Sequence, residues 1–204
     1  IMGLVGENGA GKSTILKCLN GIYPSSSYEG KICIEGKEVH ITSPLDAMKH
    51  GIGFVPQEIN VLMDMSVAEN IFLFDLKEGG KLVNQKKLLQ RAEKLLKDST
   101  ISLDPSANVR KLSVGQQQML MIARALATNP KILILDEPTT SLSSQDVLRL
   151  FDVLRVLRAK GVAIIFVTHK LTEIMEMTDC LTVMRDGKNV GFYRREEYEQ
   201  SRIV

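Results

Sequence analysis

Hydrophobic residues fall in short unbroken runs along much of this chain, and such runs are typical of strands buried on both faces of a parallel sheet. Residues 1–5, 52–55, 132–135 and 162–167 are the clearest of them. Between the runs, apolar residues recur at helical spacing, behind serine or asparagine residues of the kind that cap helices. This alternation predicts an α/β fold with a mostly parallel sheet flanked by helices.

Two other patterns extend the predicted fold. Residues 30–39 alternate in polarity around a glycine turn, and residues 186–187 separate two further short strands, so both stretches predict antiparallel hairpins. Residues 60–127 are mostly helical in pattern. We therefore expect a core formed by residues 1–59 and 128–204, including the antiparallel β part, with a helical subdomain at 60–127 inserted into it. The helix caps expected from the sequence are Ser43, Ser66, Asn84, Ser113 and either Ser143 or Ser144.

A glycine-rich loop leads from the first apolar run into a helical pattern. Residues 6–13 read Gly-Glu-Asn-Gly-Ala-Gly-Lys-Ser, the G-x-x-x-x-G-K-S/T pattern of a phosphate-binding loop in a strand–loop–helix context. The loop amides would surround phosphate oxygens, Lys12 would contact the β- and γ-phosphates, and Ser13 would offer a hydroxyl to Mg²⁺. A plain glycine-rich turn with an exposed lysine is the alternative. The residues assigned to ATP binding here are Gly6, Glu7, Asn8, Gly9, Ala10, Gly11, Lys12, Ser13 and Thr14.

Polar residues end two of the other buried runs. Asp136 and Glu137 follow one run and His169 follows the next. Because the carboxyl ends of parallel strands share one edge of a sheet, we expect these side chains near the lysine of the loop. Two adjacent carboxylates are costly to desolvate without a cation, so we expect Asp136 to face Mg²⁺ and Glu137 to polarise a water. A solvated acidic turn and a structural histidine are the alternatives.

A second candidate phosphate-binding helix end begins at Ser113. Serine and glycine at 113 and 115 start an amphipathic helix, and a helix N-terminus attracts anions. The alternative is an ordinary capped helix. Gln57 follows the run at 52–55, where its plain alternative is a loop amide bonded to the backbone.

Composition and charge narrow the class of protein. The chain is 44% hydrophobic and 25% charged, as is usual for a globular domain, and its net charge of +2 disfavours nucleic acid as the main partner. Its three cysteines lack metal or disulfide spacing, which favours a reducing compartment. No apolar run approaches the length of a membrane helix, so we expect other chains to span any membrane at which this one works. Both ends look cut, which predicts a fragment of a longer chain.

Five motifs together resemble the nucleotide-binding domain of ABC transporters: the loop at 6–13, Gln57, the segment 112–116, the acidic pair 136–137 and His169. Many NTPases share the phosphate loop, whereas the serine-headed signature at 112–116 is specific to this family. The resemblance covers nearly the whole chain and implies a P-loop NTPase core. A narrower likeness is to the ATPase subunits of bacterial ribose, galactose and xylose importers. Those often carry two such domains in tandem, and this chain resembles the first.

The chain departs from the family pattern at three places. Val114 stands where the signature usually has glycine, and Ser143 stands where the loop after the acidic pair usually has aspartate. The aromatic residue that stacks on adenine lies upstream of the phosphate loop in the family, so we expect this chain to lack it. We therefore expect weaker ATP binding, since one stacked base is worth about 1–3 kcal/mol in nucleic-acid complexes.

The resemblance implies a head-to-tail dimer in which ATP lies between the phosphate loop of one domain and the signature of the other. The resemblance implies that Glu137 acts as general base or orients the attacking water, that His169 contacts the γ-phosphate, and that Gln57 touches Mg²⁺ or the water. The implied Mg²⁺ ligands are Ser13, Gln57 and Asp136. The implied contacts to ATP held by the partner are Ser113, Gly115 and Gln116.

The implied function is ATP hydrolysis that powers import of a monosaccharide. The implied partners are a second ATPase domain, in tandem or as a homodimer, and a transmembrane permease. Apolar residues within 60–76 suggest that the permease docks between this stretch and Gln57, and the alternative is that they pack the helical subdomain. The implied location is cytoplasmic, on the inner face of the membrane, and no nucleic acid is expected. A soluble ABC-type ATPase of DNA repair or translation is the alternative, although its coiled-coil type needs longer insertions. A weaker alternative is a regulatory module that binds nucleotide without hydrolysing it.

Overall fold

A computed structural model describes residues 1–73 and 84–198 of the chain. The strands are β1 (Met2–Gly6), β2 (Ile32–Ile34), β3 (Lys37–Val39), β4 (Ile52–Val55), β5 (Ile132–Asp136), β6 (Ala163–Val167), β7 (Cys180–Arg185) and β8 (Lys188–Arg194). The helices are α1 (Lys12–Leu19), α2 (Pro44–Lys49), α3 (Val67–Ile71), α4 (Gln85–Asp98), α5 (Val114–Leu126), α6 (Ser144–Ala159) and α7 (Leu171–Met177).

A six-stranded sheet in the order β4-β5-β6-β1-β7-β8 contains the buried apolar runs. β1 pairs in parallel with β6 and β7, and β5 pairs in parallel with β6, while β7 and β8 form an antiparallel hairpin. β2 and β3 form a separate antiparallel pair. The predicted α/β fold, with a mostly parallel sheet and an antiparallel β part, is confirmed.

The register of the central strands aligns the residues that follow them. Val167, the last residue of β6, pairs with Asp136 on one side and with Leu4 on the other. Leu4 and Val167 are buried, as are Leu133, Ile134 and Leu135 in β5, which explains why these strands carry no polar residue before their ends. The phosphate loop, the acidic pair and His169 therefore follow strand ends at one edge of the sheet.

The chain divides into two compact units. The first contains residues 1–54, 130–137 and the described residues from 162 onward, and so holds the sheet, α1, α2 and α7. The second contains 138–161 and the described residues between 55 and 129, and so holds α3 to α6. The helical subdomain expected at 60–127 stays a prediction, and in this division α6 groups with its helices.

The helices of the second unit begin at the caps that the sequence predicts. Ser66 and Ser113 each form a reciprocal capping box, and Asn84 caps α4. Of the two serines before α6, Ser143 is the cap. Ser43 caps α2 in the first unit in the same way.

A polar contact ties α3 and the segment before it to α5. The guanidinium of Arg124 donates to the carbonyl oxygens of Asn70 and Asn60, at 2.9 and 2.7 Å, and to Asn70 Oδ1 at 2.6 Å. Asn70 is fully buried and donates in turn to the carbonyl of Leu62. Burial lowers the pKa of Arg124, and three carbonyl-type oxygens accept hydrogen bonds from its guanidinium.

No helix within residues 1–73 and 84–198 is long and apolar enough to cross a membrane.

Candidate functional site

The loop between β1 and α1 takes a shape that needs glycine. Gly9 and Gly11 have φ angles of 87° and 95°, a region that side chains disfavour. Gly11 is the N-cap of α1 and has no side chain with which to accept the first N–H groups of the helix. Those groups lie at the positive end of the helix dipole, so this helix start is suited to bind an anion.

Gly6 has a different reason to be glycine. A Cβ atom built there would lie 2.3 Å from the carbonyl oxygen of Met184, its partner across the β1–β7 ladder. Close approach to a neighbouring strand is therefore one reason for glycine at this position. This contact brings the end of β1 tightly against β7.

Lys12 folds back over its own loop. Its ammonium group is buried and donates to the carbonyl oxygens of Gly6 and Glu7, at 2.7 and 3.0 Å. An ammonium group has three donors, so one more contact remains possible alongside these two. Ser13 and Thr14, in the first turn of α1, are exposed, as are Asn8 and Glu7, whereas Ala10 is buried.

Asp136 ends β5 as a half-buried carboxylate. Burial raises its pKa, the adjacent charge of Glu137 raises it further, and Lys12 and Lys17 partly oppose the rise. A raised pKa means that the ionised form is poorly solvated where it stands. A cation beside Asp136 would relieve that cost.

Glu137 adopts a backbone conformation that the sequence did not predict. Its φ angle is 44°, a left-handed conformation that costs a non-glycine residue about 1–3 kcal/mol. Its N–H donates to the carbonyl of Val167 at 3.0 Å, which ties the turn to the end of β6. Its carboxylate oxygen lies 3.4 Å from Nδ1 of His169, whose side chain is 57% exposed. The structure thus joins the predicted acid and the predicted histidine.

The other predicted site residues belong to the second unit. Gln57 is exposed after β4. At the start of α5, the N–H of Gln116 donates to Ser113 Oγ at 3.3 Å, and the N–H of Ser113 donates to the Gln116 side chain at 3.0 Å. Gly115 is buried, and a Cβ atom there would lie 2.5 Å from the carboxyl carbon of Asp146. Room for Asp146 is therefore one reason for glycine in this motif.

Sequence reasoning missed three residues beside these motifs. Asp146 packs against Gly115 across 31 positions of sequence, and no local pattern signals such a contact. Thr168 and Glu173 form a buried hydrogen bond around the loop that carries His169. A threonine before the histidine, with a glutamate one helical turn later, was visible in the sequence but reads equally well as an ordinary helix start.

The residues at this edge of the sheet fit a nucleotide and Mg²⁺. A helix start without a capping side chain and a buried lysine suit phosphate, and a half-buried carboxylate with a raised pKa suits a cation. Within the described ranges, no group of three or more His, Cys, Asp or Glu side chains could hold a metal ion by itself. Mg²⁺ is usually held by one or two carboxylates together with substrate phosphates, so Asp136 fits such an ion as its carboxylate ligand.

The fold and this site define a P-loop nucleotide-binding protein. The family model described as "ABC transporter" matches residues 1–140. The chain therefore belongs to the ABC transporter family.

Curated relatives are similar over the whole chain. It is 45% identical over 204 residues to the xylose import ATP-binding protein XylG of Geobacillus kaustophilus. It is 41% identical over the same length to the galactose/methyl galactoside import ATP-binding protein MglA of Salmonella typhimurium. In both cases all of this chain is covered but only 40% of the relative, so the chain spans less than half the length of the relatives it matches.

Solved structures share the fold. An ATP-binding cassette of an ABC transporter, MJ1267 in its ADP conformation, is 27% identical with a TM-score of 0.82, over 97% of this chain and 81% of that one. The cassette MJ0796, dimeric in a post-hydrolysis state bound to ADP and Pi, is 26% identical with a TM-score of 0.77, over 97% and 86%.

Proposed function

We propose that this chain is an ATP-binding and ATP-hydrolysing domain that powers import of a monosaccharide. One observation carries the enzymatic part: a helix start without a capping side chain, a buried lysine, a carboxylate pair and a histidine follow strands at one edge of one sheet. The transport part rests on the named sugar-import relatives. Their sugars differ, so the proposal goes no further than a monosaccharide.

The phosphate loop binds the triphosphate in this proposal. The backbone N–H groups of residues 9–13 donate to the β- and γ-phosphate oxygens at the start of α1, and the buried side chain of Lys12 adds a positive charge. Gly9 and Gly11 have the positive φ angles that such a loop requires.

Asp136 and Ser13 would hold Mg²⁺, with Gln57 contacting the ion or the attacking water. The ion would supply charge neutralisation at the phosphate oxygens. The raised pKa of Asp136 supports this assignment, because a carboxylate that is costly to ionise alone gains most from a bound cation.

Glu137 acts on the attacking water. The water oxygen bonds to the γ-phosphorus while the bond to the β–γ bridging oxygen breaks, and the water proton passes to Glu137 directly or through solvent. A positioned base typically contributes about 10²–10⁴ in rate. His169, held 3.4 Å from that carboxylate, contacts the γ-phosphate. The left-handed backbone at Glu137 supports a catalytic role, because such strain collects at active sites.

A second ATPase domain completes the site. Ser113, Gly115 and Gln116 are proposed to contact ATP that is bound by the partner. Ser113 is exposed, and its hydroxyl oxygen accepts a bond from Gln116 while its hydrogen can still be donated to phosphate. Gly115 is buried against Asp146, so its share of this contact would come from the backbone.

The permease is proposed to dock beside Gln57 and residues 60–76, which would place the domain on the inner face of the membrane. Leu62 and Met63 support this surface, because both are exposed while Asn70 and Arg124 hold the backbone beneath them. Phe74 and Leu76, at the end of the predicted stretch, lie outside the described residues.

Replacing Glu137 by glutamine tests the enzymatic proposal. The variant should bind Mg·ATP in calorimetry as the parent chain does, whereas phosphate release should fall by about 10²–10⁴, because an amide cannot accept the proton. Glu93→Gln makes the same chemical change at an exposed position of α4 and should leave both measurements unchanged. Normal hydrolysis by Glu137→Gln would show that Glu137 is misassigned. A parent chain that ignores Mg·ATP would refute the whole proposal.

A further inference from the structure

Glu173 is a buried carboxylate that the proposed reaction does not use. It lies in the first turn of α7 and is 6% exposed. A buried carboxylate is costly unless it is paired and hydrogen-bonded, so its partners indicate what it serves.

The partners of Glu173 lie on both sides of His169. Thr168 Oγ1, itself 2% exposed, donates to one carboxylate oxygen at 2.7 Å. Lys170 Nζ lies 3.1 Å from the other oxygen. The N–H of Lys170 also donates to Thr168 Oγ1 at 3.1 Å, so hydroxyl, carboxylate and ammonium close a ring around the loop.

The side chain of His169 takes no part in this ring of hydrogen bonds. Its side chain is exposed while Thr168 is buried and Lys170 is half-buried. The only direction set for its imidazole among the described contacts is toward Glu137, at 3.4 Å. An exposed side chain on a three-residue loop would otherwise sample several rotamers, so the position of His169 depends on how firmly its neighbours are held.

We propose that Glu173 and Thr168 are positioning residues for His169. The carboxylate fixes Thr168 and Lys170, and the imidazole between them is thereby held where it meets both Glu137 and the γ-phosphate. This inference rests on the function proposed above. Neither residue touches substrate; both act through His169.

A purely structural role for the ring predicts something different. In that case its loss would weaken the fold around α7 and lower activity whether or not His169 is present. If the ring acts through His169, its loss should have no further effect once the imidazole is gone, because the effects of residues that act through one group are not additive.

Thr168→Val removes the hydroxyl while keeping the shape of the side chain. Its kcat for ATP hydrolysis should fall by about 10- to 100-fold with KM changed less than about twofold, as expected for a misplaced catalytic contact. Thr168→Ser should restore most of the rate. Thr172→Val, at an exposed threonine in the first turn of α7, should behave as the parent chain. In a His169→Ala background, Thr168→Val should lower kcat by less than about twofold.

An equal loss of kcat in the His169→Ala background would overturn the proposal in favour of the structural role. A parent-like rate for Thr168→Val would overturn it while leaving the proposed function intact.

A readout without turnover separates the two proposals. The chain has three histidines, so the imidazole NMR signals of His169 can be assigned by comparison with His169→Gln. Without nucleotide and at one pH, Thr168→Val should shift or broaden them, whereas Thr168→Ser and Thr172→Val should leave them in place. Unchanged signals in Thr168→Val would refute the positioning role even if the parent chain hydrolysed no ATP.

Discussion

The two helix starts assigned to phosphate differ in how their own N–H groups are satisfied. α1 begins at Gly11, which has no capping side chain, whereas α5 begins at Ser113 with a complete capping box. The first helix start therefore has no side-chain acceptor for its N–H groups, whereas the second satisfies two N–H groups with its own side chains. This difference fits a loop that binds ATP within one domain and a signature that only touches ATP held by another.

α3 offers an internal reference for the second helix start, because it also begins with a capping box. There the hydroxyl of Ser66 donates to the carboxylate of Glu69 at 2.7 Å. At α5 the matching position is the neutral Gln116, whose side-chain oxygen accepts from the backbone N–H of Ser113. A carboxylate at that position would accept the hydrogen bond from the serine hydroxyl and would repel phosphate. The same capping geometry is therefore compatible with anion contact at α5 and not at α3.

Among changes at these two helix starts and at Asp136, the largest effect is expected from Ser113→Ala. Loss of one donor aimed at the transition state should lower kcat by about 10²–10³. Loss of the cap should also cost roughly 1 kcal/mol of stability. Ser66→Ala removes the equivalent cap of α3, so it should lose similar stability in urea denaturation but keep its turnover. Gln116→Glu should keep the capping box and still lose turnover. Wild-type turnover by Ser113→Ala would contradict the assignment of the signature segment to the ATP site.

A smaller effect is expected from Lys12→Met at the other helix start. Hydrogen bonds to charged groups are worth about 1.5–3 kcal/mol, so the affinity for Mg·ATP in calorimetry should fall roughly 10- to 150-fold. Lys86→Met removes the same charge from an exposed position of α4 and serves as the control. Equal affinities for the parent and Lys12→Met would mean that the lysine only closes its loop through the carbonyls of Gly6 and Glu7.

The smallest effect is expected from Asp136→Asn, read as stability against pH. Burial and Glu137 raise the pKa of Asp136 in the folded chain, so between the ordinary aspartate value and the raised one the folded state binds more protons than the unfolded state. This residue should therefore make the free energy of unfolding fall as pH rises through that window.

Asp136→Asn should lack that fall and should be more stable than the parent at neutral pH without Mg²⁺. Urea denaturation at a series of pH values would measure it. Other carboxylates such as Glu69, whose pKa its bonds to Ser66 lower, act in the opposite direction but cancel when the two chains are compared. Parallel curves would contradict the reading of Asp136 as a poorly solvated charge.

Local sequence patterns were enough to predict the turns, the helix caps and the buried strands of this chain. Glycine spacing at 6–13 predicted the strand–loop–helix unit, serine and asparagine positions predicted the helix caps, and unbroken apolar runs predicted buried parallel strands. These succeed because caps, turns and buried strands depend on residues within a few positions of one another.

Contacts that join distant parts of the chain became apparent only in the folded structure. The close approach of β7 to Gly6, the packing of Asp146 on Gly115, and the left-handed turn that brings Glu137 to His169 have no local signal. Each depends on strand register or on packing between segments far apart in sequence, where many alternatives satisfy the same local pattern. The chemistry of the site is therefore visible in the residue types, and its geometry in the way the sheet brings their strand ends together.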